Sequence, residues 1–268
     1  SHVVNPNTFG ANSLKFSDAE LEEIVRAAVE NAKRARDESS GTQEKWIALD
    51  IGPTGRLLEP YGDLGFEEAV EVFAEQVRIA RDYVDGFIIE TMSDLYEMKA
   101  AILAVKENTD LPVFATLIFD ERGKLLTGGD VPSVVALLEG LRVDALGINC
   151  GMGPEQMLPI LKEIAQYTSL PIIVKPNAGL PKQRDGQTYY DVTPEKFAAA
   201  LTEIVQNGAC VIGGCCGTTP EHIRAMVDAC KDMKIVKPTY KSATLVSSYG
   251  KAVEIGDMPV VIGERINP

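Results

Sequence analysis

The chain lacks the marks of several protein classes. No run approaches the roughly 18 uncharged apolar residues of a membrane helix, so no membrane span and no membrane partner are expected. No basic segment followed by an apolar one opens it, so no secretory leader is expected in the sequence as it stands. Positive charge is scarce. The 26 Lys and Arg stand against 39 Asp and Glu, a net charge of −13, which argues against a nucleic-acid surface and for a soluble protein. Five cysteines, two of them adjacent, are a poor disulfide framework for 268 residues. A reducing, cytoplasmic setting suits them better. Gly128-Gly129 has no phosphate-binding fingerprint around it and reads as a plain turn. No internal repeat emerges beyond a simple strand-helix rhythm.

An apolar content of 45% and this length support one large domain with a full core. Short apolar runs are expected to be strands over 46–51, 84–89, 113–119, 143–148, 172–175 and 210–213, after a shorter run over 3–7. Helical spacing of apolar residues falls between them, over 18–36, 66–81, 94–106, 132–138, 154–167 and 194–206. A last helix is capped by Thr219 and begins at Pro220. Strands that are apolar throughout belong to a parallel sheet covered by helices. Polar residues gather just after the strands: Asn7, Asp50, Glu90, Asn149, Cys150, Asn177, Cys215 and Cys216. Such residues converge at the C-terminal mouth of a (β/α)₈ barrel. A doubly wound sheet would gather residues only at its switch point, so the α/β barrel is the expected fold.

Three of these residues are thiols at strand ends. Cys150 closes Leu146-Gly147-Ile148-Asn149-Cys150, and Cys215 and Cys216 follow Gly213-Gly214. Three soft thiolates can hold one zinc and leave its fourth tetrahedral position open, as a catalytic site requires. Adjacent residues of a strand point to opposite faces, so Cys215 and Cys216 do not both fill one core. Cys210 and Cys230 read as small core hydrophobes. His222 reads as a helix-start residue rather than a ligand. Asp50, Asn149 and Asn177 suit either a role behind the metal ligands or local loop capping by Asx turns.

Four segments carry a family resemblance. They are Gly213-Gly214-Cys215-Cys216-Gly217-Thr218-Thr219-Pro220, Pro176-Asn177-Ala178-Gly179-Leu180-Pro181, Asp50-Ile51-Gly52-Pro53-Thr54-Gly55 and Asn7-Thr8-Phe9-Gly10-Ala11. Together they resemble the homocysteine-binding module of cobalamin-dependent methionine synthases, within the wider homocysteine S-methyltransferase superfamily. The resemblance implies a barrel over residues 1–233. It implies zinc on Cys150, Cys215 and Cys216, with Glu90 facing the homocysteine ammonium. Asn7, Asp50, Asn149 and Asn177 are further substrate-site candidates. The implied reaction is methyl transfer to the homocysteine thiol, giving methionine. Methylcobalamin would come from a separate domain or protein, and a folate-binding module would be a further partner. The runner-up is a cobalamin-independent homocysteine methyltransferase.

The sequence departs from the family pattern in one respect. Its first strand matches the family's second, and the opening strand, first helix and Asp-Gly-Ala-x-Gly-Thr loop have no counterpart. The chain therefore reads as a barrel lacking its usual first strand and helix. Two function classes follow: an enzyme module, and a zinc-binding barrel fragment without turnover. Residues 234–259 read as a linker. Residues 260–268, with the apolar run Val260-Val261-Ile262, resemble the start of the folate-binding domain. Either that run fills the slot of the absent strand, within one chain or exchanged in a strand-swapped dimer, or it is a disordered tail beside an open sheet.

Overall fold

In the computed structural model, which describes residues 1–259, strands and helices alternate as the apolar pattern predicts. In chain order the main elements are β1 (Val3–Val4), α1 (Asp18–Glu38), β2 (Trp46–Ile51), α2 (Phe66–Ala80), β3 (Gly86–Met92), α3 (Leu95–Lys106), β4 (Val113–Leu117), α4 (Val131–Gly140), β5 (Ala145–Asn149), α5 (Pro154–Tyr167) and β6 (Ile172–Lys175). A small hairpin follows, β7 (Lys182–Arg184) and β8 (Gln187–Tyr189), then α6 (Pro194–Gln206), β9 (Ala209–Ile212) and α7 (Pro220–Cys230). A second hairpin, β10 (Thr244–Ser247) and β11 (Ala252–Ile255), ends the described chain.

Seven strands form one parallel, curled sheet in the order β1-β2-β3-β4-β5-β6-β9. It is a half-barrel of the α/β barrel type, with helices packed outside. Strand alternation divides the side chains between the two faces. Leu49, Phe87, Ile89, Ala115, Leu146, Ile148, Ile172 and Val174 join the helices in one apolar core. Their neighbours point inward: Ala48 and Asp50, Ile88 and Glu90, Thr116, Gly147 and Asn149, Ile173 and Lys175. The inner face is thus apolar at the bottom and polar at the C-terminal mouth. Among the described residues, β1 and β9 are the two edges of the sheet. The expected gap-filling strand over 260–268, and the exchanged dimer that depends on it, lie outside the described residues.

Helix starts follow from their caps. Asp94 accepts from the Glu97 amide at 2.8 Å to open α3. Asp130 and Ser133 cap α4 reciprocally, at 3.1 and 3.0 Å. His222 accepts from the Thr219 amide at 3.2 Å and lies 2.8 Å from the Val192 carbonyl, so it is a helix-start residue.

Three features differ from the sequence expectation. Strand β3 runs on through Thr91 to Met92, which pairs with Leu117 across a bulge. The β7–β8 hairpin turns at Asp185-Gly186, whose φ values of 51° and 75° suit the Asp-Gly pair of a tight two-residue turn. The segment read as a linker contains the β10–β11 hairpin, which packs against α4. At its turn, Tyr249 meets Tyr96 edge-on at 4.6 Å and Tyr61 at 5.7 Å, and its hydroxyl donates to Asp94. The β-branched residues of Thr244-Leu245-Val246-Ser247 and Ala252-Val253-Glu254-Ile255 favour the two strands.

Gly147 marks the closest approach in the sheet. A Cβ there would stand 1.9 Å from the Ile173 carbonyl oxygen, a backbone atom with nowhere to go. Gly147→Ala is expected to cost more than about 2 kcal/mol of stability by forcing β5 and β6 apart. Chemical denaturation of the two chains checks this, and a midpoint equal to wild type would refute the close approach.

Candidate functional site

The mouth is organised around Asn149, the last residue of β5, which is fully buried. Its Oδ1 accepts from the Thr91 amide at 2.9 Å and from the Thr116 hydroxyl at 2.8 Å. Its Nδ2 donates to Thr91 Oγ1 at 2.7 Å and Glu90 Oε2 at 3.2 Å, and lies 3.9 Å from the Cys215 sulfur. One amide therefore joins the ends of β3, β4 and β5 to the loop after β9. It also supports two unusual backbone positions. Thr91 and Cys150 have φ values of 68° and 57°, each costing about 1–3 kcal/mol in a residue other than glycine. At Cys150 the turn is held by its amide donating to the Lys175 carbonyl at 3.0 Å and by the Met152 amide donating to the Cys150 carbonyl at 2.8 Å.

The sulfurs of Cys150, Cys215 and Cys216 lie within 4.8 Å of one another. Cys150 and Cys216 are 3.7 Å apart. Backbone bonds from the loop after β6 set this spacing. The Cys215 amide donates to the Pro176 carbonyl at 2.9 Å, and the Ala178 amide to the Cys216 carbonyl at 2.9 Å. The Cys216 amide donates to Asn177 Oδ1 at 3.0 Å. Asn177 thus positions a thiol by holding its backbone. Beyond the cysteines, Gly217 (φ 78°) lies against the Tyr190 ring, where any Cβ would collide.

The thiols cannot ionise together. A hydrogen bond from Cys215 brings Cys150 down to about 6, against the opposing effect of burial and with further help from the Gly151 amide. The same contact, together with burial, pushes Cys215 up, and burial with the charge of Cys150 pushes Cys216 up. Without a cation the cluster holds one negative charge shared among three sulfurs. A soft divalent cation would let all three ionise, so this donor set fits zinc.

Beside the thiols sits a charged group. Glu90 pairs with Lys175 at the end of β6, and both side chains are largely buried. Asp50 is buried alongside, and its Oδ1 has no hydrogen-bond partner among the described residues. Burial first, and then the neighbouring charge of Glu90, push Asp50 up to about 8, with Lys175 acting the other way. Asp50 therefore carries its proton at neutral pH.

Of the residues singled out from the sequence, the structure brings Cys150, Cys215, Cys216, Glu90, Asn149, Asn177 and Asp50 to one mouth. Asn7 stands exposed on the loop after β1. Its neighbours make that motif's contacts: the Thr8 hydroxyl donates to the Asp50 carbonyl at 2.7 Å, and the Phe9 carbonyl accepts from the Gly52 amide at 3.1 Å. Cys210 and Cys230 are half-buried, near Val236 and Thr202 respectively. Sequence reasoning missed Lys175, Thr91, Thr116 and Tyr190. Lys175 and Thr116 had a signal: a polar residue with inward-facing parity in an otherwise apolar strand.

Comparison with known proteins gives a consistent result. A family model described as homocysteine S-methyltransferase matches residues 1–230. The chain is 31% identical over 286 residues to a methionine synthase of Mycobacterium leprae, covering 99% of this chain and 24% of that protein. A methionine synthase of Mycobacterium tuberculosis is also 31% identical, over 279 residues, with 99% and 23% covered. The chain thus spans about a quarter of the length of the curated relatives it matches. Among solved structures, the metallated form of the homocysteine methyltransferase MmuM from Escherichia coli is 25% identical with a TM-score of 0.67. That match covers 84% of this chain and 78% of the other.

Two expectations follow from this geometry. Asn149→Ala leaves the Thr91 amide without a partner and removes one of the two partners of Glu90, and should cost about 2–4 kcal/mol in denaturant unfolding. A loss under about 0.5 kcal/mol would show that Asn149 is not the hub. Asp50 gives a pH signature. Burial lifts it from an ordinary 3.8 to about 8, so its contribution is complete below about pH 4 and falls as pH rises through 8. Asp50→Asn has no such slope. Its stability relative to wild type should rise by a few kcal/mol, to order of magnitude, between pH 5 and pH 8.5. Urea midpoints of both chains at both pH values measure this, and a constant difference would contradict it.

Proposed function

Because the chain belongs to the homocysteine S-methyltransferase family, we propose that it is a zinc-dependent module that takes homocysteine by its sulfur and delivers it for methylation to methionine. The observation that carries this reading is the trio of thiols within 4.8 Å at the mouth of the half-barrel. The methionine synthase relatives support methylcobalamin as the donor, presented by a separate domain or protein, with a folate module as a further partner. No helix among the described residues is long and apolar enough to cross a membrane.

The physical problem in this reaction is the proton on the thiol. A free thiol is mostly protonated at neutral pH and is a weak nucleophile in that state. Zinc, when bound, supplies a Lewis acid that lowers the thiol's proton affinity. Cys150, Cys215 and Cys216 would hold it. Their three sulfurs make an electron-rich donor set that keeps a bound thiolate reactive. Asn149 and Asn177 keep those sulfurs in place: Asn149 Nδ2 lies near Cys215, and Asn177 binds the Cys216 amide. Glu90 offers a carboxylate to the substrate ammonium.

Cys215→Ala should weaken zinc binding by at least about tenfold, while Cys210→Ala should leave it unchanged. Competition with a chromophoric chelator measures both, and full zinc affinity in Cys215→Ala would exclude the assignment. On the zinc-loaded chain, zinc-edge X-ray absorption should change from three sulfur neighbours to four when homocysteine is added. Homoserine, with its harder oxygen, should leave the spectrum unchanged. A spectrum indifferent to saturating homocysteine would favour the reading of a zinc-binding barrel without turnover.

A further inference from the structure

The Lys175–Glu90 pair has no part in holding the metal, yet it stands one side chain away from it. Asn149 Nδ2 donates to Glu90 at 3.2 Å and lies 3.9 Å from the Cys215 sulfur. The two charged side chains are only 13% and 10% exposed, at the open mouth rather than within the packed core. Asp50 adds a buried oxygen with no partner among the described residues. A partly buried ion pair is a costly way to stabilise a fold, because desolvation offsets most of its attraction. A pair beside an open site and an orphaned polar atom are better accounted for as a half-complete binding surface.

Resting on the homocysteine reading above, we propose that Lys175 is the counter-ion of the substrate carboxylate and sets specificity for an α-amino acid over a simple amino-thiol. The argument is one of charge and reach. In homocysteine the sulfur is three bonds from the carbon that carries both the ammonium and the carboxylate. A molecule held at the thiol cluster by its sulfur therefore places both charged groups beside Asn149. Glu90 suits the ammonium. The carboxylate entering next to it would meet Glu90 and Asp50, two acidic side chains, with Lys175 as the one cation in this group. A neutral zwitterion inserted into a neutral Lys–Glu pair exchanges one ion pair for two, each a charge-assisted contact in a largely dry site. Lys175 is held ready for this from behind: its carbonyl accepts from the Cys150 amide at 3.0 Å, and its partner across the sheet is Asn149.

The test compares two thiols on the zinc-loaded full chain by calorimetric titration: L-homocysteine, and 3-mercaptopropylamine, which lacks the carboxylate. Wild type should bind homocysteine at least about tenfold more tightly. Lys175→Met should bring the ratio to within about twofold by weakening homocysteine alone. Affinity for 3-mercaptopropylamine should hold or rise as Glu90 is freed. Lys175→Arg should keep the discrimination, which guards against a loss of folding in the methionine variant. Equal binding of the two thiols by wild type would overturn the proposal. So would discrimination that survives in Lys175→Met, or an equal loss for both thiols in a folded variant. In those cases thiol binding persists and the homocysteine reading stands. Absence of binding by either thiol in wild type would instead remove that reading, and this assignment with it.

Discussion

The side-chain amide of Asn149 is the constraint on which the mouth depends. It uses its donors and acceptor on four groups at the ends of two neighbouring strands, β3 and β4. Thr91 has a left-handed backbone that a β-branched residue resists, and it survives because its amide and hydroxyl both close on Asn149. Glu90 is aimed into the mouth because Asn149 and Lys175 hold its carboxylate from two sides. Cys150, next in sequence, adopts its own left-handed turn and so directs its thiol toward the loop after β9 instead of continuing the strand. A buried network of this kind is worth more than its separate bonds, because each member removes a desolvation penalty from its neighbours.

Two charge problems sit side by side in this mouth, and each is solved only in part by the protein. The thiol cluster gathers three acids that share a single negative charge, a donor set that suits a soft cation. The Asp50, Glu90 and Lys175 group gathers two carboxyls and one ammonium, and stays near neutral because Asp50 keeps its proton. The first group suits a soft metal, and the second a molecule that brings both signs of charge. The proposed substrate, homocysteine, would meet both, with a soft sulfur at one end and a zwitterion at the other. Stability is therefore coupled to the proposed function: the groups best suited to a ligand are also the ones most costly to bury.

Much of this was legible in the sequence. Apolar runs placed the parallel strands because strands covered on their outer face by helices need no alternation of polarity. Cys150, Cys215 and Cys216 stood out because three thiols just past strand ends, two of them adjacent, have no ordinary packing role. What was not legible is side-chain partnership. Lys175 ends an apolar strand, and nothing in Ile172-Ile173-Val174-Lys175 says that its ammonium meets Glu90 across 85 positions of sequence. Asn149 and Asn177 were noticed, but an Asx turn would explain either residue equally well until the sheet register is known. Asp185-Gly186 and the β-branched residues around Tyr249 carried hairpin signals. They were overlooked because the surrounding Lys, Ser, Gly and Pro suggest a loop.

The site reaches from β2 to the edge strand β9. The residues that hold the thiols and the charged group come from β2, β3, β4, β5, β6 and the loop after β9, which are neighbours in one unbroken hydrogen-bonded order. Each pair has a fixed register, with Asp50 opposite Ile88, Thr116 opposite Gly147 and Asn149 opposite Lys175. A one-residue slip anywhere would turn the inward set outward and dismantle the site, so its precision is set by those five strand pairings. The short β1 pairs at one edge, and its loop reaches inward only as far as the backbone of Asp50, through Thr8. Cys215 and Cys216 follow the edge strand β9, and they are fixed by the β6–β9 pairing and by backbone bonds to the loop after β6.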